Sequence, residues 1–99
     1  MEPLKAFEKN AMFLIGATRG GPMRARIMGL ILEKPLNPNE IAQMLGVDYK
    51  TVTHHLDVLR KNGWAIGNME KYGEKFMPTF TEEEKGIFRS ILERVGKKL

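Results

Sequence analysis

NPNEIAQMLGVDYKTVTHHLDVLRKNG, residues 37–63, decides the fold, because it spells two short helices with a tight turn between them. Asn37 can cap the first helix and Pro38 suits its first turn. Glu40 stands three residues after the cap, where a capping box needs it. Ile41, Ala42 and Leu45 give this helix one apolar side. Gly46 supplies the turn, since a residue without Cβ enters the left-handed region at little cost. Asp48 can cap the second helix, with Thr51 as a weaker box partner than Glu or Gln.

The second helix carries Val52, Leu56 and Leu59 on one face, with His55 beside them. Gly63 closes it after Arg60 and Lys61, cations placed where the helix dipole favours them. The opposite face holds Tyr49, Lys50, Thr53, His54, Asp57 and Lys61. A greasy back and a polar, positively charged front suit a helix that is held firmly while it lies in a DNA major groove.

Working outward, the chain of 99 residues is expected to be one domain. Its apolar fraction of 42% suits a folded chain and its 28% of charged residues a soluble one. The absence of cysteine excludes disulfides, thiolate metal sites and cysteine nucleophiles. No apolar run approaches the length of a membrane span and no secretory signal is visible, so the expected location is cytoplasmic. A net charge of +4 suits a polyanionic partner without specifying one.

N-terminal to the central pair, Leu4, Phe7, Ala11 and Leu14 recur as a helical stripe, which Met12, Phe13 and Ile15 broaden. Two readings stay open: a helix that covers the core, or one that also packs on a second copy of the chain. GATRGG, residues 16–21, is a loop that lacks both the order and the preceding strand of a phosphate cradle. Pro22 opens a helix to about Lys34 with Ile27, Leu30 and Ile31 inward. Gly29 in its middle would let another helix approach closely. Arg19, Arg24 and Arg26 read as solvated surface, with phosphate contact as the alternative.

After Gly63 the period changes. Residues 64–69 alternate as a short strand, residues 70–74 form a polar turn, and residues 75–80 return as a second strand. Phe76 is available to the core, and Pro78 places this strand at an edge or near its end. Thr81 and Glu84 repeat the capping-box signature. The helix they start carries Ile87, Ile91 and Val95, with Phe88, Leu92 and Leu99 alongside. The first and last helices are therefore expected to join two copies through Leu4, Phe7, Ala11, Leu14, Phe88, Ile91, Leu92 and Val95.

The resulting fold class is mainly α with a small β-hairpin (α+β), in the order α-α-α-turn-α-β-β-α. Within it, residues 1–17 and 81–99 are expected to dimerise and residues 22–80 to form the DNA-binding core. The wording resembles the prokaryotic winged-helix repressors of the ArsR type. The resemblance lies in Arg26-Ile27, NEIAQMLGV at 39–47, KTVTHHLDVLRKNGW at 50–64 and YGEKFMPT at 72–79. MarR-type and other prokaryotic winged helices share much of this pattern. The resemblance implies that Tyr49, Lys50, Thr53 and His54 face DNA and that Lys71, Tyr72 and Lys75 belong to a wing touching the backbone. Thr51 and Lys61 complete the expected DNA-binding set. Two departures stand out: the metal-sensing cysteines of that family are missing, and His54 replaces a common Arg.

No cofactor or metal is expected. His54 and His55 diverge by about 100° on a helix, so they cannot share one ion, and Asp57 could add only a weak surface site with His54. His55 reads as a half-buried, hydrogen-bonded support, whereas His54 would gain charge below about pH 6.5 and strengthen phosphate binding. Glu82, Glu83 and Glu84 suit the positive pole of their helix better than acid–base catalysis, and an enzyme is not expected. The expected partners are double-stranded DNA and a second copy of the chain, with no membrane and no identified effector. The alternative is a winged helix used for protein contact in the transcription machinery.

Overall fold

The capping signals are engaged where the sequence places them. Asn37 Oδ1 accepts the Glu40 amide at 2.8 Å while Glu40 Oε1 accepts the Asn37 amide at 2.9 Å. Asp48 Oδ1 accepts the Thr51 amide at 2.7 Å. Thr81 and Glu84 form the second reciprocal box, at 3.1 and 2.9 Å. The computed structural model describes residues 2–70 and 73–96, and side-chain surroundings for residues 2–69 and 73–94. Its elements run α1 (Pro3–Gly16), α2 (Gly21–Glu33), α3 (Pro38–Leu45), α4 (Tyr49–Lys61), β1 (Ala65–Glu70), β2 (Gly73–Pro78) and α5 (Glu82–Gly96). Between α3 and α4, Gly46 adopts φ +67°, the left-handed conformation the turn requires.

The hairpin is antiparallel, with Ala65 opposite Pro78 and Glu70 opposite Gly73. Its second strand is not a free edge. Phe76 exchanges backbone hydrogen bonds with Leu36, at 2.7 and 3.2 Å, so the segment before α3 bridges to β2. Pro78 closes β2, where its missing N–H breaks no ladder. The alternation in β1 does not sort core from solvent: Trp64 and Ala65 are both buried, while Ile66 and Met69 are exposed.

The core is a continuous cluster that draws on every helix, with Ile27, Met28, Ile31, Ile41, Val52, Leu56, Leu59, Phe88 and Ile91 at 1% exposure or less. An aromatic group made by Phe7, Trp64, Phe80 and Phe88 joins α1, the wing base and α5. Phe7 and Phe80 meet edge to face at 4.9 Å, and Trp64 and Phe88 at 5.4 Å. Gly29 lies beneath Leu92 of α5, as expected of a close approach, yet a Cβ there would make only an ordinary contact at 3.7 Å.

The interface expected on the outer helices needs correction at three positions. Ala11, Phe88 and Ile91 are fully buried in the chain's own core and offer no surface to a second copy. Their stripes face inward because α1 and α5 pack on each other and on α2, which uses up the apolar rows. Leu4, Phe7, Leu14 and Leu92 stay half-buried, Phe7 within the aromatic group. Val95 lies outside the described side chains, as do Lys97, Lys98 and Leu99. Arg24, expected at the surface, is likewise corrected: it is 6% exposed.

Candidate nucleic-acid interface

The front of α4 is built on a buried back. Val52, His55, Leu56 and Leu59 are turned into the protein, which leaves Tyr49, Lys50 and His54 exposed and Thr53 half-exposed. Thr53 Oγ1 donates to the Lys50 carbonyl at 3.1 Å, an internal bond that a nucleic-acid acceptor could replace. Thr51 is half-buried, its amide held by the Asp48 cap. Hydrogen bonding from Thr51, its side chain first and its amide second, and the nearby Lys50 charge hold the Asp48 carboxyl below the usual carboxylate range.

Farther along α4 the charges are already paired. Lys61 Nζ lies 3.0 Å from Asp57, which also faces Arg60 at 3.9 Å, and the Lys61 hydrogen bond pulls the Asp57 pKa down. Arg60 reaches Glu74 of the wing at 3.6 Å and lies over the Phe76 ring at 5.3 Å. Lys75, on the wing strand β2, turns its ammonium to within 4.0 Å of Glu40 on α3. Lys71 and Tyr72, the other expected wing contacts, lie outside the described residues. Among the described residues, free positive charge on this face thus gathers at Lys50, near the start of α4. Beside it, Pro38, Tyr49, Thr53, Leu56, Arg60, Glu74 and Phe76 line a cavity of about 100 Å³ between α3, α4 and the wing.

Behind α4 stands a buried polar group. Arg24 Nη1 donates to His55 Nδ1 at 3.3 Å, and Nη2 donates to Thr18 Oγ1 and to the Leu14 carbonyl at the end of α1. Burial, Arg24 and His54, in that order, lower the His55 pKa from 6.5. His55 is therefore the hydrogen-bonded support its sequence position suggests. The sequence carries a signal for the burial of Arg24 as well: with Ile27 or Met28 and Ile31 it stands at positions i, i+3 or i+4, and i+7, on the inward face of α2. Among the described residues no three His, Asp or Glu side chains come together as a metal site would require.

A turn-linked helix pair whose second helix presents a polar front, followed at once by a hairpin, defines a winged helix-turn-helix. Residues 21–65 match the model of the arsR family of bacterial regulatory proteins. Among solved structures, a homodimeric winged helix-turn-helix DNA-binding domain, Mb0332 of Mycobacterium bovis, superposes with a TM-score of 0.68 at 18% identity, covering 98% of this chain and 82% of that one. Reduced HlyU of Vibrio cholerae gives 0.65 at 20% identity over 94% of this chain and 88% of that one. A predicted DNA-binding transcriptional regulator of E. coli gives 0.67 at 18% identity over 92% of this chain and 95% of that one. No curated protein sequence matches the chain. The chain has the winged helix-turn-helix fold, and its residues 21–65, just under half of it, are similar to the arsR family of bacterial regulatory proteins.

Proposed function

We propose that this chain is an ArsR-type transcriptional regulator that reads specific double-stranded DNA sequences as a homodimer and acts as a repressor in the cytoplasm. The observation that carries this reading is the front of α4, where Tyr49, Lys50, Thr53 and His54 face outward from a helix fixed by its buried back. Among the described residues no helix is long and apolar enough to cross a membrane. Lys50 and His54 supply base-edge or phosphate contacts, and Tyr49 and Thr53 flank them. Thr51, Lys61, Lys71, Tyr72 and Lys75 add contacts to the flanking backbone.

Two copies joined through α1 and α5 would set their α4 helices into successive major grooves about 34 Å apart. The surface available for that union is Leu4, Phe7, Leu14 and Leu92, together with Met12 and Phe13. Phe13 is 64% exposed beside the exposed Met12, so the outer side of α1 keeps apolar surface open to a second copy. Mb0332, the homodimeric neighbour of like fold, supports this arrangement.

Selection of bound sequences from a random duplex pool tests the proposal. A palindromic consensus is the expected result, with affinity falling by a log–log salt slope of about −0.9 per phosphate contacted. A chain that enriches nothing, or binds with no salt dependence, is not a DNA reader.

A further inference from the structure

The polar group behind α4 has no role in reading bases directly, yet it joins three elements. Arg24 comes from α2, Leu14 and Thr18 from the end of α1 and the turn after it, and His55 from the rear of α4. Room for it exists because residue 20 is glycine: a Cβ there would overlap the Arg24 guanidinium and the His55 ring. Among the described residues no carboxylate pairs with Arg24 or His55. The buried cation is instead compensated by the C-terminal carbonyl pole of α1, and its Nε has no partner among the described residues.

The chemistry of this contact is one-sided. A guanidinium has donors only and stays charged, so His55 Nδ1 must accept and the ring proton must sit on Nε2. A second proton would turn Nδ1 into a donor facing another donor at 3.3 Å. The charges acting on the ring are Arg24 from α2 and His54 from α4 itself, both cationic when protonated. Protonated His55 therefore cannot keep the contact, and α4 loses its tie to α1.

We propose that Arg24 is a positioning residue for DNA reading, a clamp that fixes the rear of α4 to the end of α1 only while His55 is neutral. The proposal rests on the reading of α4 as the DNA-contacting helix. Through it a change in α1, the helix assigned to the dimer, reaches α4 directly, and so does acidification. Because His54 is a second imidazole on the exposed face of the same helix, every binding arm carries H54Q.

The test measures affinity of the full chain for a pool-selected duplex from about pH 7.5 to about pH 5.5, alongside the imidazole nitrogen NMR spectrum. Affinity is expected to fall about tenfold on acidification, the effect of losing one hydrogen bond to a charged group. R24M and H55Q should bind more weakly already at neutral pH, with the acid-dependent loss flattened. In the wild-type spectrum His55 should carry its proton on Nε2 and titrate below 6.5, moving toward that value in R24M. Equal affinity profiles against pH for H54Q and for H54Q with R24M, an Nδ1–H ring at neutral pH, or an unchanged His55 titration would each overturn the clamp. If R24M does not fold, the wild-type spectrum decides alone. If the wild type selects no duplex, the DNA reading fails, and the spectra still judge the tie between α1 and α4.

Discussion

Arg60 of α4 lies 3.6 Å from the carboxylate of Glu74 and 5.3 Å over the ring of Phe76, so one side chain ties the helix that faces outward to the wing beside it. The ion pair is partly exposed and contributes ~0–1 kcal/mol, whereas the ring contact adds ~0.5–1 kcal/mol. Arg60→Ala should therefore cost about 1 kcal/mol in denaturant unfolding, and Glu74→Gln less than that. Equal losses would mean that the ring contact contributes nothing.

Lys50 and Lys61 sit on the same helix but in different electrostatic company. Lys61 is held by Asp57 at 3.0 Å, while among the described residues Lys50 has no carboxylate partner. Lys50→Ala should weaken duplex binding by ~1–3 kcal/mol if it reads a base, and Lys61→Ala should weaken it less. Should Lys50 touch only phosphate, its loss will be alike on all sequences and shrink at high salt. Fluorescence anisotropy on selected and random duplexes distinguishes the cases.

Gly46→Ala tests the turn. Nothing crowds the position, so the whole penalty comes from φ +67°. An L-residue held there costs ~1–2 kcal/mol. For a domain of this size each 1 kcal/mol lowers Tm by about 4–8 °C, a shift calorimetry would register.

Two groups set two different acid limbs of stability. His55 has a folded pKa below 6.5. The unfolded chain takes up that proton first, so stability is full above about 6.5 and declines as pH falls below it. Asp48 has a folded pKa below 3.8, so its contribution is present above that value and is lost as pH falls through the folded one. Thermal unfolding against pH should lose the upper limb in His55→Gln and part of the lower limb in Asp48→Ala, the remainder belonging to Asp57, whose pKa is lowered by Lys61. Identical profiles would remove both groups from the account.

Phe13 and Phe88 separate assembly from folding. Phe88 is fully buried, and Phe88→Ala should cost ~3–5 kcal/mol by leaving a cavity. Phe13 is mostly exposed, so Phe13→Asp should leave the protomer's Tm nearly unchanged while shifting a dimer toward monomer in analytical ultracentrifugation. A variant that stays fully dimeric would place the interface elsewhere.

Helix starts, the turn and the hairpin were legible in the sequence because their determinants are local. Asn37 with Glu40, Thr81 with Glu84, Asp48 with Thr51 and the bare backbone of Gly46 act within one turn of the chain. The outward set on α4 follows from period alone, since a buried Val52, Leu56 and Leu59 leave Lys50 and His54 on the other side. Apolar stripes did not say which partner would cover them. Phe88 and Ile91 look the same in sequence whether they meet α1 of their own chain or another copy.

By itself, then, the sequence determined the elements, their order and the polar front of α4, because hydrogen bonds and side-chain spacing within a few residues fix these. Only the tertiary structure decided that Arg24 is buried against His55, that Lys75 turns to Glu40, and that Leu36 pairs with Phe76. Such contacts join residues far apart in the chain. Their energy depends on how the packed elements exclude water, which residue spacing does not encode.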